Sequence, residues 1–318
     1  TRDMVGPPSP LPFTLGTGQP RENNATLVSK GWEAELKWRD YVGKVNYGLR
    51  FILSDDIQTV TQYYNPTGSL STWYAGRRMG EIWGYTTAGI AKTNDEMNEH
   101  LKTNRPSWGD NWQAGDIMYK DLNGDDTVNG GANTLSDHGD LRRLGYNAPR
   151  FKVGFNADLT WQGLDFSFFL QGVGRRDWFD NSPYSVGATS HGQWQSVGFK
   201  EHWDFFRPEG DPNGANLNAR YPRPLFEKGA KNMQTQSRYV VNAAYLRIKN
   251  IQLGYTLPAS LTKKIGVSRL RVYTSADNLV TFTKLPKIFD PEATGGDWGP
   301  GKIYPLQRVI SCGLNVNI

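Results

Sequence analysis

Hydrophobic and polar residues alternate one for one along seven segments of this chain. In residues 32–40, Trp32, Ala34, Leu36 and Trp38 share one parity, while Glu33, Glu35, Lys37 and Arg39 take the other. Residues 44–54 place Val45, Tyr47, Leu49, Phe51 and Leu53 on one side. Residues 151–160 set Phe151, Val153, Phe155, Ala157 and Leu159 against Lys152, Asn156 and Asp158, and residues 164–174 repeat the pattern with Leu164, Phe166, Phe168 and Leu170. A period of two marks a β-strand with one apolar and one polar face. Residues 245–257 start in one phase, with Leu246 and Ile248. They continue in the other, with Ile251, Leu253, Tyr255 and Leu257. That change of phase predicts a bulge near Lys249 and Asn250. Residues 270–282 and 304–318 complete the set. The last segment carries Ile310, Cys312, Leu314, Val316 and Ile318 against Ser311, Gly313, Asn315 and Asn317.

The links between these segments decide the architecture. Short links at residues 41–43, 161–163 and 258–269 alternate strictly with long ones at 55–150, 175–244 and 283–303. A β-sandwich has short links at both ends. A transmembrane barrel has short turns on its periplasmic side and long loops outside. The predicted fold is therefore all-β, an antiparallel transmembrane β-barrel with long extracellular loops. With the C-terminus in the periplasm, every short link falls on that side. Seven strands are an odd number, whereas bacterial single-chain barrels use even ones. Charges such as Glu33, Glu35, Lys37 and Arg39 suit a wide polar lumen that seven strands cannot enclose. The expectation is that residues 1–318 form the C-terminal portion of a larger barrel.

Composition changes little. Mean hydropathy is −0.60, and no run of about 18 apolar residues marks a helical membrane span. Barrel strands need only about 9–11 residues, half of them polar, so the average hides them. The start, Thr1-Arg2-Asp3-Met4, has no signal-peptide pattern. Net charge is +5, with Lys and Arg scattered rather than blocked, so no nucleic-acid partner is expected. The single Cys312 leaves no intrachain disulfide and no cysteine-based zinc site. His100, His138, His191 and His202 form no ligand pair at helical spacing, and phosphate-loop, dinucleotide and nucleophile-elbow patterns are absent. The chain is not expected to be an enzyme.

Several stretches, in order, resemble the C-terminal part of the SusC/RagA-type TonB-dependent outer-membrane transporters of Bacteroidetes. They are Lys30-Gly31-Trp32-Glu33-Ala34-Glu35-Leu36, Gly80-Glu81-Ile82-Trp83-Gly84-Tyr85, the run from Gly115-Asp116-Ile117 to Asn123-Gly124-Asp125, Phe168-Phe169-Leu170-Gln171-Gly172, Asn242-Ala243-Ala244-Tyr245-Leu246-Arg247-Ile248-Lys249-Asn250, and Tyr304-Pro305 to the end. The resemblance implies about seven strands of a 22-strand barrel, with an N-terminal plug and TonB box that this chain does not contain. It further implies TonB-dependent import of a glycan or peptide nutrient across the outer membrane of a Gram-negative, Bacteroidetes-like cell. The implied partners are a SusD-like surface lipoprotein, the TonB complex and outer-membrane lipid. Ile318 departs from the aromatic residue that ends many outer-membrane proteins. A passive porin or adhesin barrel, or a secreted carbohydrate-binding β-protein, are the alternatives.

Two sets of side chains are candidates for binding. Asp121, Asn123, Asp125, Thr127 and Asn129 fall at the first, third, fifth, seventh and ninth positions of an EF-hand-like loop, a spacing that gathers hard oxygens for Ca²⁺. Asp126 stands where the turn glycine belongs and Ala132 where the closing glutamate belongs; Asp137 or Asp140 are the substitutes in reach. The same residues also read as a solvated Asx-rich turn. The loop aromatics Trp83, Trp108, Trp112, Trp178 and Trp194 offer flat rings for a substrate, or cores for large ordered loops.

Overall fold

The computed structural model describes residues 1–8, 14, 16–180, 183–187, 198–225, 229–295 and 303–318. They divide into two compact units. One, the sheet unit, holds residues 30–57, 148–177 and 242–318; the other, the loop unit, holds residues 1–29, 58–147 and 178–241.

The strands of the large sheet are β1 (Met4–Gly6), β2 (Glu22–Val42), β3 (Val45–Gln62), β4 (Arg150–Trp161), β5 (Leu164–Arg175), β6 (Tyr245–Thr256), β7 (Arg269–Thr283) and β8 (Val309–Asn317). They form one sheet in chain order, each hydrogen-bonded to its sequence neighbours, with β1 and β8 at the two edges. The seven alternating segments are thus all strands. The eighth, β1, is too short to show a period. β2 and β3 run well beyond residues 32–40 and 44–54. At the tight turns Gly43 takes φ +62°, and Gln162 and Gly163 take +45° and +93°. Positive φ at these positions matches the right-handed twist of paired strands.

The register keeps one parity together across the sheet. Phe51 faces Phe155 and Leu49 faces Ala157. Phe155 faces Leu170, and Leu159 faces Phe166. Phe166 faces Leu253, and Leu164 faces Tyr255. Tyr255 faces Val272, which faces Leu314. The opposite face carries Asn156 beside Arg50 and Ser275 beside Ser311. On it Asp165 and Arg271 bond across the intervening β6 at 2.9 Å. They pass over Gly254, where a Cβ would sit 2.5 Å from the guanidinium. Among the described residues, large side chains of the apolar face are exposed. Leu36 is 70% exposed, Ile310 70% and Leu314 66%, far more apolar surface than a soluble monomer leaves uncovered.

The change of phase in β6 is a bulge, as the pattern predicts. Phe169 pairs with Asn250 but Leu170 pairs with Ile248, leaving Lys249 extra. The bulge re-aims Lys249 at Glu292, 2.8 Å away. Arg247, two residues earlier, is 3% exposed and bonds Asp290 at 2.8 Å and Thr281 at 2.6 Å. Asp290 also accepts the Leu306 N–H at 3.3 Å. This corrects the last segment: the strand begins at Val309, not at Tyr304. Pro305 has no N–H and that of Leu306 is taken by a side chain, so neither joins the ladder.

The loop unit has its own core, built around Ile90, Ile117, Tyr119, Val128, Tyr221 and Tyr239. Thr87–Ile90 pairs with Ile117–Tyr119, and Arg105–Pro106 pairs in parallel with Thr127–Val128. Helix α1 (Asn94–His100) starts because Thr93 caps it, accepting the Glu96 N–H at 3.1 Å. Met97 on its inner face is fully buried.

Arg247→Met removes the cation from a buried carboxylate pair while keeping most of the volume. Loss of one partner of such a pair costs about 3–5 kcal/mol. The full-length variant should unfold at lower denaturant and be cleaved faster by protease between residues 284 and 295. Unchanged unfolding and cleavage would show that the network does not tie this segment to β6.

Candidate functional site

Asp116 joins several segments of the loop unit. It follows Gly115, whose φ of +87° and missing Cβ admit Phe206 and Arg223, the former 2.5 Å from where a Cβ would stand. The Asp116 carboxylate is fully buried. It accepts Arg223 Nε at 2.9 Å and Nη2 at 3.1 Å, Asn232 Nδ2 at 3.0 Å and the Gln113 N–H at 3.0 Å. Lys231 Nζ lies 2.8 Å away. Burial lowers the Lys231 pKa, and the Asp116 carboxylate opposes the shift. The same ammonium donates to Asn111 O at 2.7 Å and sits 4.9 Å from the Trp112 ring centre. The Lys231 carbonyl accepts from Trp108 Nε1 and Tyr119 Oη, each at 3.3 Å. One lysine therefore suspends residues 108–112 from the core.

Beside this support lies an open cleft of about 680 Å³, within the range of small-ligand sites. Its walls are Asn98 on α1 with Leu101 and Lys102 just after it, then Arg105 to Ser107, and then Gly109 to Trp112. Trp112 is half-buried, its ring edge-on to Tyr119 at 6.1 Å. Trp108 packs on Tyr119 at 5.1 Å and on Tyr85 at 4.7 Å. Of the four described tryptophans among those named from the sequence, Trp112 alone lines this cleft. Trp178 is 3% exposed, a packing residue. Trp83 donates Nε1 to Glu81 at 3.0 Å. Trp194 lies outside the described residues. The supporting residues Asp116, Arg223 and Lys231, and the cleft residues Asn98 and Arg105, carry no local sequence signal of their role. Gly115-Asp116 stood in the sequence only as a family landmark.

Glu81 forms a second buried node. It accepts Tyr74 Oη at 2.5 Å, Trp83 Nε1 at 3.0 Å, Arg143 Nη1 at 3.2 Å and the Arg78 N–H at 3.1 Å. Burial alone would raise its pKa, but these bonds outweigh burial and hold the carboxyl below its ordinary value. Burial, together with Glu81, pushes the Tyr74 hydroxyl up to about 12.

The loop of residues 121–129 closes on itself. Asp121 Oδ1 accepts the N–H groups of Asn123 and Gly124, and Oδ2 that of Asp126, at 2.8–2.9 Å. Asn123 accepts from Asp125 N at 3.1 Å, Asp125 from Thr127 N at 2.8 Å, and Asn129 from Gly131 N at 2.7 Å. Asp140 fastens both ends, taking Leu122 N and Asn129 N, and Asp137 takes Ala132 N. Among the described residues, no group of three or more His, Cys, Asp or Glu side chains is placed to hold a metal ion. The donor usage is that of nested Asx turns. The left-handed Asp126 (φ +62°) supplies the turn where glycine was missing.

No protein-family model matches the chain. Known proteins do. TonB-dependent receptor P3 of Formosa agariphila is 26% identical over 345 aligned positions, covering 99% of this chain and 31% of that receptor. TonB-dependent receptor P26 of the same organism is 25% identical, covering 96% of this chain and 30% of its own length. The chain thus spans about a third of the curated relatives it matches. Among solved structures, that of the RagAB peptide importer in the open-open state superposes with a TM-score of 0.69 at 22% identity, covering all of this chain and 31% of that one. The RagAB peptide transporter structure gives 0.66, covering 99% and 32%. The resemblance read from the residues is borne out over nearly the whole chain, and the two-faced sheet has the fold of these transporters' antiparallel barrels.

The Glu81 carboxyl has a lowered pKa when folded, so its contribution to stability is present above the unfolded value, about 4.5, and is lost as pH falls through the folded one. Glu81→Gln should lower stability near neutrality by about 1–3 kcal/mol and flatten the fall that sets in as pH drops below the unfolded value. Unfolding midpoints across that fall decide it, and an unchanged slope contradicts the assignment. For the Asx-turn loop, Asp121→Ala should lower the melting temperature equally in ~1 mM Ca²⁺ and in chelator. Stabilisation of the parent protein by Ca²⁺, abolished in the variant, would instead establish a cation site there.

Proposed function

We propose that this chain is the wall and loop region of an energised outer-membrane importer. It supplies a lipid-facing sheet, a hydrated inner face and a substrate-contacting loop unit, and it does no chemistry on its cargo. The observation that carries this reading is the pairing of an uncovered apolar face with a charged opposite face in register across the sheet, in a chain similar from end to end to TonB-dependent receptors. In a bilayer the apolar face meets hydrocarbon and the ladder satisfies the backbone, which a spanning structure requires.

On this reading the apolar parity faces lipid in the outer membrane of a Gram-negative cell. The nutrient, a glycan or a peptide, is captured at the outer surface with a SusD-like lipoprotein and released inward when TonB acts on parts of the protein outside this chain. Likeness to the RagAB peptide importer supports the class of transport and leaves open which of the two polymers is carried. The uncovered apolar face weighs against a secreted carbohydrate-binding protein. Growth or uptake with candidate oligomers should require both the full-length protein and TonB. Uptake that persists when TonB is deleted would favour a passive barrel and overturn the proposal.

A further inference from the structure

The cleft beside Trp112 contains polar groups that the fold does not use. Arg105 stands on a strand fixed by Asp126 and Val128, which bond the Arg105 and Ser107 N–H groups at 3.1 and 3.0 Å. Its guanidinium has no hydrogen bond, ion pair or ring contact among the described residues. The loop unit's other arginines between residues 58 and 241 each engage a carbonyl, a carboxylate or an aromatic ring. The Asn98 amide and the Trp112 indole N–H likewise have no acceptor among the described residues. Lys102 stands on the same wall, in an exposed pair with Glu99, a kind of contact worth little. Trp112 is held rigid by Lys231 on its ring and Tyr119 at its edge.

We infer that this cleft is a subsite for a carboxylate-bearing sugar unit of the imported chain, with Arg105 receiving the carboxylate and Trp112 bearing the ring. The inference rests on the import reading above. A guanidinium fork matches a carboxylate through two parallel bonds and is unmatched by a neutral hydroxyl. A flat indole offers a sugar's C–H face an apolar platform. Asn98, Asn111 and Asp110 around it supply the amide and carboxylate groups that hydroxyls pair with. A peptide fits less well. Peptides commonly dock by adding a strand to a sheet edge, and here the short strand ends in Pro106, which has no N–H to offer and whose partner strand already takes the neighbouring donors.

Calorimetry on the purified full-length transporter with its lipoprotein tests this. The probes are trigalacturonate, an alginate trimer, their methyl esters, and an acidic peptide of similar charge. At least one acidic trimer should bind more tightly than its ester. Arg105→Gln should weaken that acid about tenfold or more and leave the ester unchanged, and added salt should narrow the difference. Arg207→Gln, away from the cleft, should alter neither. Equal affinity for acid and ester, no binding of either trimer, or an Arg105→Gln variant with parental affinity overturns the subsite. Tighter binding of the peptide than of both sugars overturns the choice of ligand. TonB-dependent uptake that persists in any of these cases refutes the subsite and leaves the import reading standing.

Discussion

A sheet that separates hydrocarbon from water must keep one parity on one side, strand after strand. A single-residue slip would turn every following apolar residue to the wrong face. The registers here satisfy that constraint from Val45 to Val316. Where the period breaks in β6, Lys249 is extruded as a bulge, so Ile248 and Ile251 stay on the same face. The polar face uses the same order differently. Asp165 and Arg271 reach each other because the residue between them is glycine.

Such a sheet has no interior, so it cannot anchor a long loop by burying it. The loop unit solves this with a core of its own. Tyr119 is enclosed by Tyr85, Trp108 and Trp112, and the Asp116, Arg223 and Lys231 cluster ties together segments more than a hundred residues apart. A charge cluster this buried is weak evidence for stability in itself. Its better-supported role is to fix one arrangement, and residues 108–112 hang from it. Rigid support below leaves the cleft above it preorganised, with the donors of Arg105 and Trp112 meeting no acceptor among the described residues.

Strands and their bulge were legible in the sequence because period two is a local signal, set by the pleat. Alternating short and long links gave the architecture for the same reason. The start of β8 was not legible, because the Leu306 N–H is taken by Asp290, whose position depends on Arg247 in another strand. Likewise, nothing near Lys231 announces that it will hold Trp112. Trp108, Trp112 and Trp178 look equivalent in composition, yet one is buried and another lines a cleft. That difference is decided by tertiary contacts. The Asp121 loop has the spacing of a cation site, but its oxygens are directed to its own backbone donors.

The central claim is that the two parities of the sheet meet two different solvents. Single cysteines placed along β6 and β7 of the full-length protein, with Cys312 replaced by serine, test it in native outer membranes. Positions 251, 253, 255 and 272 should resist a water-soluble maleimide, while 252, 273 and 275 should react with it. Equal labelling of both parities, or alternation that fails to continue from β6 to β7, would contradict the account.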